Sequence, residues 1–150
     1  MTDNSDCIKL FHPQSELDFH RYYELRWRIL RAPWQQPLGS DKDELEPVSI
    51  HLMACKTARI PAGVCRLHFN TGEQAQIRYM AVDENERYRG IGRLLLQRLE
   101  QLANERGANA VILNAREPVV GFYERNGYQI SGPGHTLYQT IRHLRMIKHL

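Results

Sequence analysis

The chain has 150 residues, 42% hydrophobic and 25% charged, which suits one soluble globular domain with a single core. Its formal charge of +3 and pI near 8.9 are too mild for a dedicated nucleic-acid binder, and they suit an anionic ligand. No apolar run approaches the ~18 residues of a membrane span, and the three cysteines, Cys7, Cys55 and Cys65, lack disulfide or zinc spacing, so no metal is expected.

The polar, acidic residues 1–6 do not read as a signal peptide, so a reducing cytoplasm is the expected compartment. Residues 7–11 alternate as a short strand that Pro13 ends. Ser15 is a good N-cap, with Asp18 three residues on, and a helix is predicted to about Arg31. Phe19, Tyr23, Trp27 and Leu30 form its expected apolar stripe. Pro33 and Pro37 then impose a loop over 32–40, and the acidic 41–46 reads as one helical turn.

Strands are expected over 48–55, 63–69 and 75–82, as an antiparallel meander with a turn at 70–72. A helix follows over 91–106, with Ile91, Leu95, Leu99 and Leu102 on one face and Gly107 as its stop. Residues 110–114 read as a buried strand parallel to its predecessor. A short helix over 119–125 ends at Asn126-Gly127. Strands are predicted over 128–131, 136–140 and 142–148, with Gly132-Pro133-Gly134 as an interruption. The fold class is therefore α+β, a single domain over 1–150 built on one mixed sheet.

The most informative stretch is Arg87-Tyr88-Arg89-Gly90-Ile91-Gly92-Arg93, between a strand and a helix. Glycines let a ligand approach the backbone closely. Unpaired amides and the helix dipole make that helix start positive, which suits a pyrophosphate. The three arginines add charge of the right sign.

With Met80-Ala81-Val82 before it and Leu94-Leu95-Leu96 after it, Arg87-x-x-Gly90-x-Gly92 resembles the acyl-CoA motif of the GNAT acyltransferases. Asn114-Ala115 and then Phe122-Tyr123-Glu124-Arg125-Asn126-Gly127-Tyr128 resemble the family's second motif, in its order and spacing. The likeness covers roughly 6–149 and is strong over 75–130. His143-Leu144-Arg145-Met146 resembles the last strand of ElaA-like members.

The resemblance implies a mostly antiparallel sheet with helices on both faces and a strand splay, often bulged, at the acyl-CoA site. It implies that acetyl-CoA is held by the backbone of Met80, Ala81 and Val82, and by Arg87, Tyr88, Arg89, Gly90, Ile91, Gly92, Arg93 and Asn114. Tyr123 would give a proton to the departing thiolate, its pKa near 10 suiting a thiol near 8 to 9. The acceptor would be a primary amine of a small molecule or peptide, and a homodimer is compatible with this reading. Arg26, Trp34 and His143, on the first helix, the 32–40 loop and a last strand, are available to the acceptor and hint at an acidic or aromatic one. The general base stays open among His51, His68, His143, Glu73 and a water chain. The alternative is a non-catalytic acyl-CoA sensor, which would keep the glycine motif without needing the acid.

Overall fold

The structure is a computed structural model that describes residues 7–87 and 89–150. The main elements are β1 (Lys9–Phe11), α1 (Glu16–Leu30), β2 (Ile50–Cys55), β3 (Pro61–Phe69), β4 (Gln74–Val82), α2 (Ile91–Glu105), β5 (Ala110–Arg116), α3 (Val120–Arg125), β6 (Gln129–Leu137) and β7 (Ile141–His149). The sheet order is β1-β2-β3-β4-β5-β7-β6. β4 pairs with β5 in parallel, and β1–β2, β2–β3, β5–β7 and β6–β7 pair antiparallel. Backbone contacts group the chain into two compact units. The first takes the chain up to His68 together with Tyr79–Leu99; the second takes Phe69–Arg78 and Glu100–Leu150.

In the first unit, α1 starts at a complete capping box: Ser15 Oγ accepts from the Asp18 amide at 3.0 Å, and the Asp18 carboxylate accepts back from Ser15 N. That carboxylate also takes Arg59 Nη2 at 2.7 Å, so Asp18 is buried but paired. The expected stripe of Phe19, Tyr23, Trp27 and Leu30 is only half-buried. The buried face lies beside it, with Asp18, Tyr22, Leu25 and Arg26. Two of these are charged, which is why hydropathy alone rotates the helix wrongly.

Tyr22 and Leu25 pack with Met53, Cys55, Val64 and Ala81. Burying such a side chain contributes roughly 1.5–3 kcal/mol. Adjacent residues on a strand point to opposite faces. Val64 joins the α1 cluster, whereas a Cβ on Gly63 would meet Ile91 Cγ2 at 2.6 Å and Leu95 at 3.2 Å. So α1 and α2 cover opposite faces of β3, and Gly63 is small because α2 lies against it.

Buried charge ties the connection between α1 and β2 to this unit. Arg26 is 0% exposed and donates to Asp41 Oδ2 at 2.6 Å, Asp41 O at 3.0 Å and Glu46 Oε1 at 3.1 Å. Arg66, also 0% exposed, donates to Asp43 Oδ1 at 2.7 Å and Glu46 Oε2 at 2.6 Å. The expected helical turn over 41–46 is instead a chain of turns, with a 3₁₀ turn at Glu46–Val48. The carboxylates there are fixed by the arginines, and Pro47 sits in that turn's first positions.

Five non-glycine residues have positive φ among those described: Gln35, Ala58, Tyr79, Tyr138 and Gln139. Only Tyr79, at φ 58°, lies inside a strand. A bulky residue held there costs on the order of 1–3 kcal/mol and persists only where its surroundings hold it. The Tyr79 ring lies under Arg26 Cζ at 4.3 Å and Arg66 Cζ at 4.8 Å, and its hydroxyl donates to Asp43 Oδ2 at 3.3 Å.

In the second unit β6 runs unbroken through Gly132-Pro133-Gly134, with register shifts that absorb the irregularity. The break expected there is absent, and residues 136–137 belong to β6. A Cβ on Gly134 would come within 2.8 Å of His143 O, so the glycine serves close strand approach. The turn falls at Tyr138-Gln139, both left-handed, with Thr140 N donating to Leu137 O at 3.2 Å. That pattern is a type I′ hairpin without the usual Asn-Gly signal.

Arg26→Met should leave the buried Asp41 without its cation and Glu46 with Arg66 alone, a loss of about 3–5 kcal/mol. Urea unfolding at neutral pH measures it; a loss below about 1 kcal/mol would show that Arg26 is a dispensable surface-type pair.

Candidate active site

The first unit carries the proposed cofactor strand and the glycine loop. Along β4, Ala81 is buried, and Met80 and Val82 are half-buried. The next turn is anchored, because Asp83 N donates to Ala62 O at 2.8 Å and the Asp83 carboxylate caps Asn85 N at 2.9 Å. Arg28 of α1 donates to Asp83 at 3.0 Å and to Glu84 at 3.2 Å, and Lys56 reaches Glu86 at 3.4 Å. The acidic side chains of this turn are thus engaged by cations from other elements. Arg87, Arg89 and Arg93 are exposed, with Arg89 Nε 3.5 Å from Glu86. Tyr88 lies outside the described residues.

Gly90 has φ 76°, and its carbonyl accepts the first helical bond, from Leu94 N at 3.1 Å. Nothing lies within 4 Å of a Cβ built there, so conformation and not crowding demands glycine. Ile91 is buried and anchors α2, while Gly92 is half-buried in the first turn. First-turn amides have no intrahelical acceptor, and the dipole adds partial positive charge. This helix start has the geometry and charge of an anion site.

The second unit carries the candidate acid. Tyr123 is buried on α3, edge-on to Phe122 at 5.0 Å and to Tyr128 at 5.8 Å. Tyr128 N donates to Tyr123 O at 3.1 Å, and Tyr128 Oη donates to Glu100 at 2.8 Å. Lys148 Nζ donates to the same carboxylate at 2.9 Å and to Asn126 O at 3.0 Å. The end of α3 is therefore held by a half-buried ion pair that sequence reading passed over. Asn114 is exposed on β5, in register with Arg145 of β7.

The acceptor-side residues divide. His143 is half-buried on β7 and stacked on His135, with ring centroids 4.2 Å apart. Burial and then the charge of His135 push its pKa down. Trp34 is 40% exposed. Arg26 needs correction as a direct acceptor ligand: it is fully buried, and its guanidinium is spent on Asp41 and Glu46. Beside it α1 and the loop enclose a cleft of about 590 Å³ lined by Glu16, Phe19, Tyr23, Glu24, Asp41 and Lys42, among others.

The base candidates look different in place. His51 Nε2 donates to Glu46 O at 2.8 Å, and its Nδ1 pairs with Tyr22 Oη at 2.9 Å, so both nitrogens have internal partners. His68 is buried beside Arg66, and Glu73 is exposed. Burial raises the Cys55 thiol to about 11 and the Cys65 thiol to about 12, which makes both poor nucleophiles. No group of three metal-ligating side chains occurs among the described residues, and none of their helices is long and apolar enough to cross a membrane.

Burial also pushes the His51 pKa down. Folded His51 and His143 therefore resist protons that the unfolded chain takes up near pH 6.5. The unfolded state binds more protons in that window, so stability rises with pH there and falls as pH drops through it. Urea midpoints at pH 7.5 and 5.5 should show a drop at the lower pH, and His51→Gln should shrink it. A wild type equally stable at both pH values would contradict this.

Comparison with known proteins fits this arrangement. The family described as "Acetyltransferase (GNAT) family" matches residues 19–128. The uncharacterized N-acetyltransferase YjcF of Bacillus subtilis is 31% identical over 112 residues, covering 75% of this chain and 79% of YjcF. The Escherichia coli ElaA structure superposes with a TM-score of 0.76 at 17% identity, over 95% of this chain and 99% of ElaA. An aminoglycoside 6′-N-acetyltransferase complexed with coenzyme A superposes with a TM-score of 0.75 at 18% identity, over 95% of this chain and 96% of that one. The glycine helix start, the β4 strand before it and the extent of these matches establish that the chain belongs to the GNAT acetyltransferase family.

Proposed function

We propose that this acetyltransferase moves an acetyl group from acetyl-CoA to a primary amine of a small molecule or peptide, by direct attack within a ternary complex. The observation that carries this is the left-handed Gly90 opening α2 among three exposed arginines, directly after β4. The pyrophosphate sits on the amides of Gly90 to Arg93, with Arg87, Arg89 and Arg93 on its phosphates. The pantetheine arm pairs with the backbone of Met80 to Val82, and Asn114 adds a polar contact. The coenzyme A held by the aminoglycoside acetyltransferase of the same fold supports this choice of donor.

The amine nitrogen attacks the thioester carbonyl carbon, and a backbone N–H near Val82 steadies the oxygen as charge develops. Collapse breaks the C–S bond, and the Tyr123 phenol protonates the thiolate. The nitrogen loses its extra proton to water or a nearby base, and a proton returns through water to the Tyr123 phenolate. Proximity in the ternary complex contributes much of the rate, and no covalent enzyme intermediate forms.

At the cleft beside α1, Lys42 Nζ already rests 4.2 Å over the Tyr23 ring, and Glu16 lines the same cleft. An ammonium is therefore at home there, which favours a cationic acceptor over an acidic one.

Calorimetry with acetyl-CoA, and free-thiol release against a panel of amines, test this reading. Gly92→Glu should abolish acetyl-CoA binding in a folded protein. Tyr123→Phe should lower kcat by roughly 10- to 1000-fold with little change in KM for acetyl-CoA. Diamines should be turned over faster than acidic amino acids. Acetyl-CoA binding without thiol release from any amine would favour a sensor.

A further inference from the structure

Resting on the proposed acetyl-CoA site, we infer that Tyr79 is a positioning residue, clamped by the buried arginines so that the next three residues of β4 present their backbone to the thioester end of the donor. The left-handed backbone at Tyr79 is the only one inside a strand among the described non-glycine residues, and Met80 to Val82 follow it immediately. Strain of this kind relaxes unless neighbouring groups hold it.

Here they come from three separate segments. Arg26 of α1 lies 4.3 Å over the ring and Arg66 of β3 lies 4.8 Å over it, with Arg31 at 5.9 Å. Asp43, from the connection between α1 and β2, accepts from the hydroxyl at 3.3 Å. The guanidiniums cannot drift, because Asp41, Asp43 and Glu46 hold them at 2.6–3.1 Å. Planar guanidiniums suit both jobs, pairing with carboxylates at the edge and covering a ring with the face.

The turn sets where the amide and carbonyl groups after it point. A thioester carbonyl and an amide chain need those groups within hydrogen-bond distance, so a small reorientation costs binding and rate. The nucleotide end of the donor, on Gly90 to Arg93, does not depend on that orientation. The clamp therefore acts on one half of the donor only.

The test is calorimetry of wild type, Tyr79→Gly and Tyr79→Phe with two probes, acetyl-CoA and its nucleotide half, 3′-phospho-ADP. Glycine accepts the left-handed backbone but removes the ring; phenylalanine keeps the ring under the guanidiniums. Tyr79→Gly should weaken acetyl-CoA by roughly 10- to 100-fold and leave 3′-phospho-ADP within about twofold. Tyr79→Phe should recover most of the acetyl-CoA affinity. Equal acetyl-CoA affinity in Tyr79→Gly and wild type would overturn the clamp. A parallel loss of both probes would also overturn it, by making Tyr79 merely structural. A wild type that binds neither probe would instead remove the donor site itself and the clamp with it.

Discussion

A cluster of buried charge holds one tyrosine of the first unit in a disfavoured backbone conformation. Tyr79 turns left-handed in the middle of β4, and six charged side chains from the α1 helix and its C-cap, β3 and the connection between α1 and β2 converge on its ring, its hydroxyl or each other. The strain is small beside the cost of leaving any one of those charges unpaired in the interior, a matter of several kcal/mol per ion. The tyrosine therefore follows the cluster, and the residues after it follow the tyrosine.

That cluster also explains the charge pattern of α1. Burial alone would raise the Glu46 carboxyl, but its hydrogen bond and charge pairing with Arg26 outweigh burial and keep it below its ordinary range. Burial alone would lower the Arg26 pKa, and the same partners reverse it. A helix face with two charged residues can be buried when each charge has a built partner: Arg59 for Asp18, and Asp41 with Glu46 for Arg26. The same logic recurs in the second unit, where Lys148 and Tyr128 share Glu100 at the end of the helix that carries Tyr123.

The glycine loop was legible in the sequence because its constraint is local: Gly90 needs a positive φ, and few residues tolerate one. Element types were legible for the same reason, from capping at Ser15 and the spacing of Ile91, Leu95 and Leu99. The ion cluster was not, since Arg26 meets Asp41 and Glu46 only after the chain folds back over 15 and 20 residues. Arg26 therefore read as a free cation for the acceptor. Tyr79 carried no signal, because its conformation is imposed by distant side chains. The β6–β7 hairpin was misplaced because Gly132-Pro133-Gly134 looks like a turn, whereas Gly134 is required by His143 across the ladder and the real turn uses Tyr138-Gln139.

A crystal structure with acetyl-CoA bound bears most directly on the coupling between this strained strand and the donor. Pyrophosphate oxygens are expected within hydrogen-bond distance of the amides of Gly90 to Arg93, and the pantetheine paired with the backbone of Met80 to Val82. Tyr79 should keep its left-handed backbone beneath the two guanidiniums. A donor bound elsewhere, or one bound at the glycine loop while Tyr79 relaxes to an ordinary extended conformation, would contradict it.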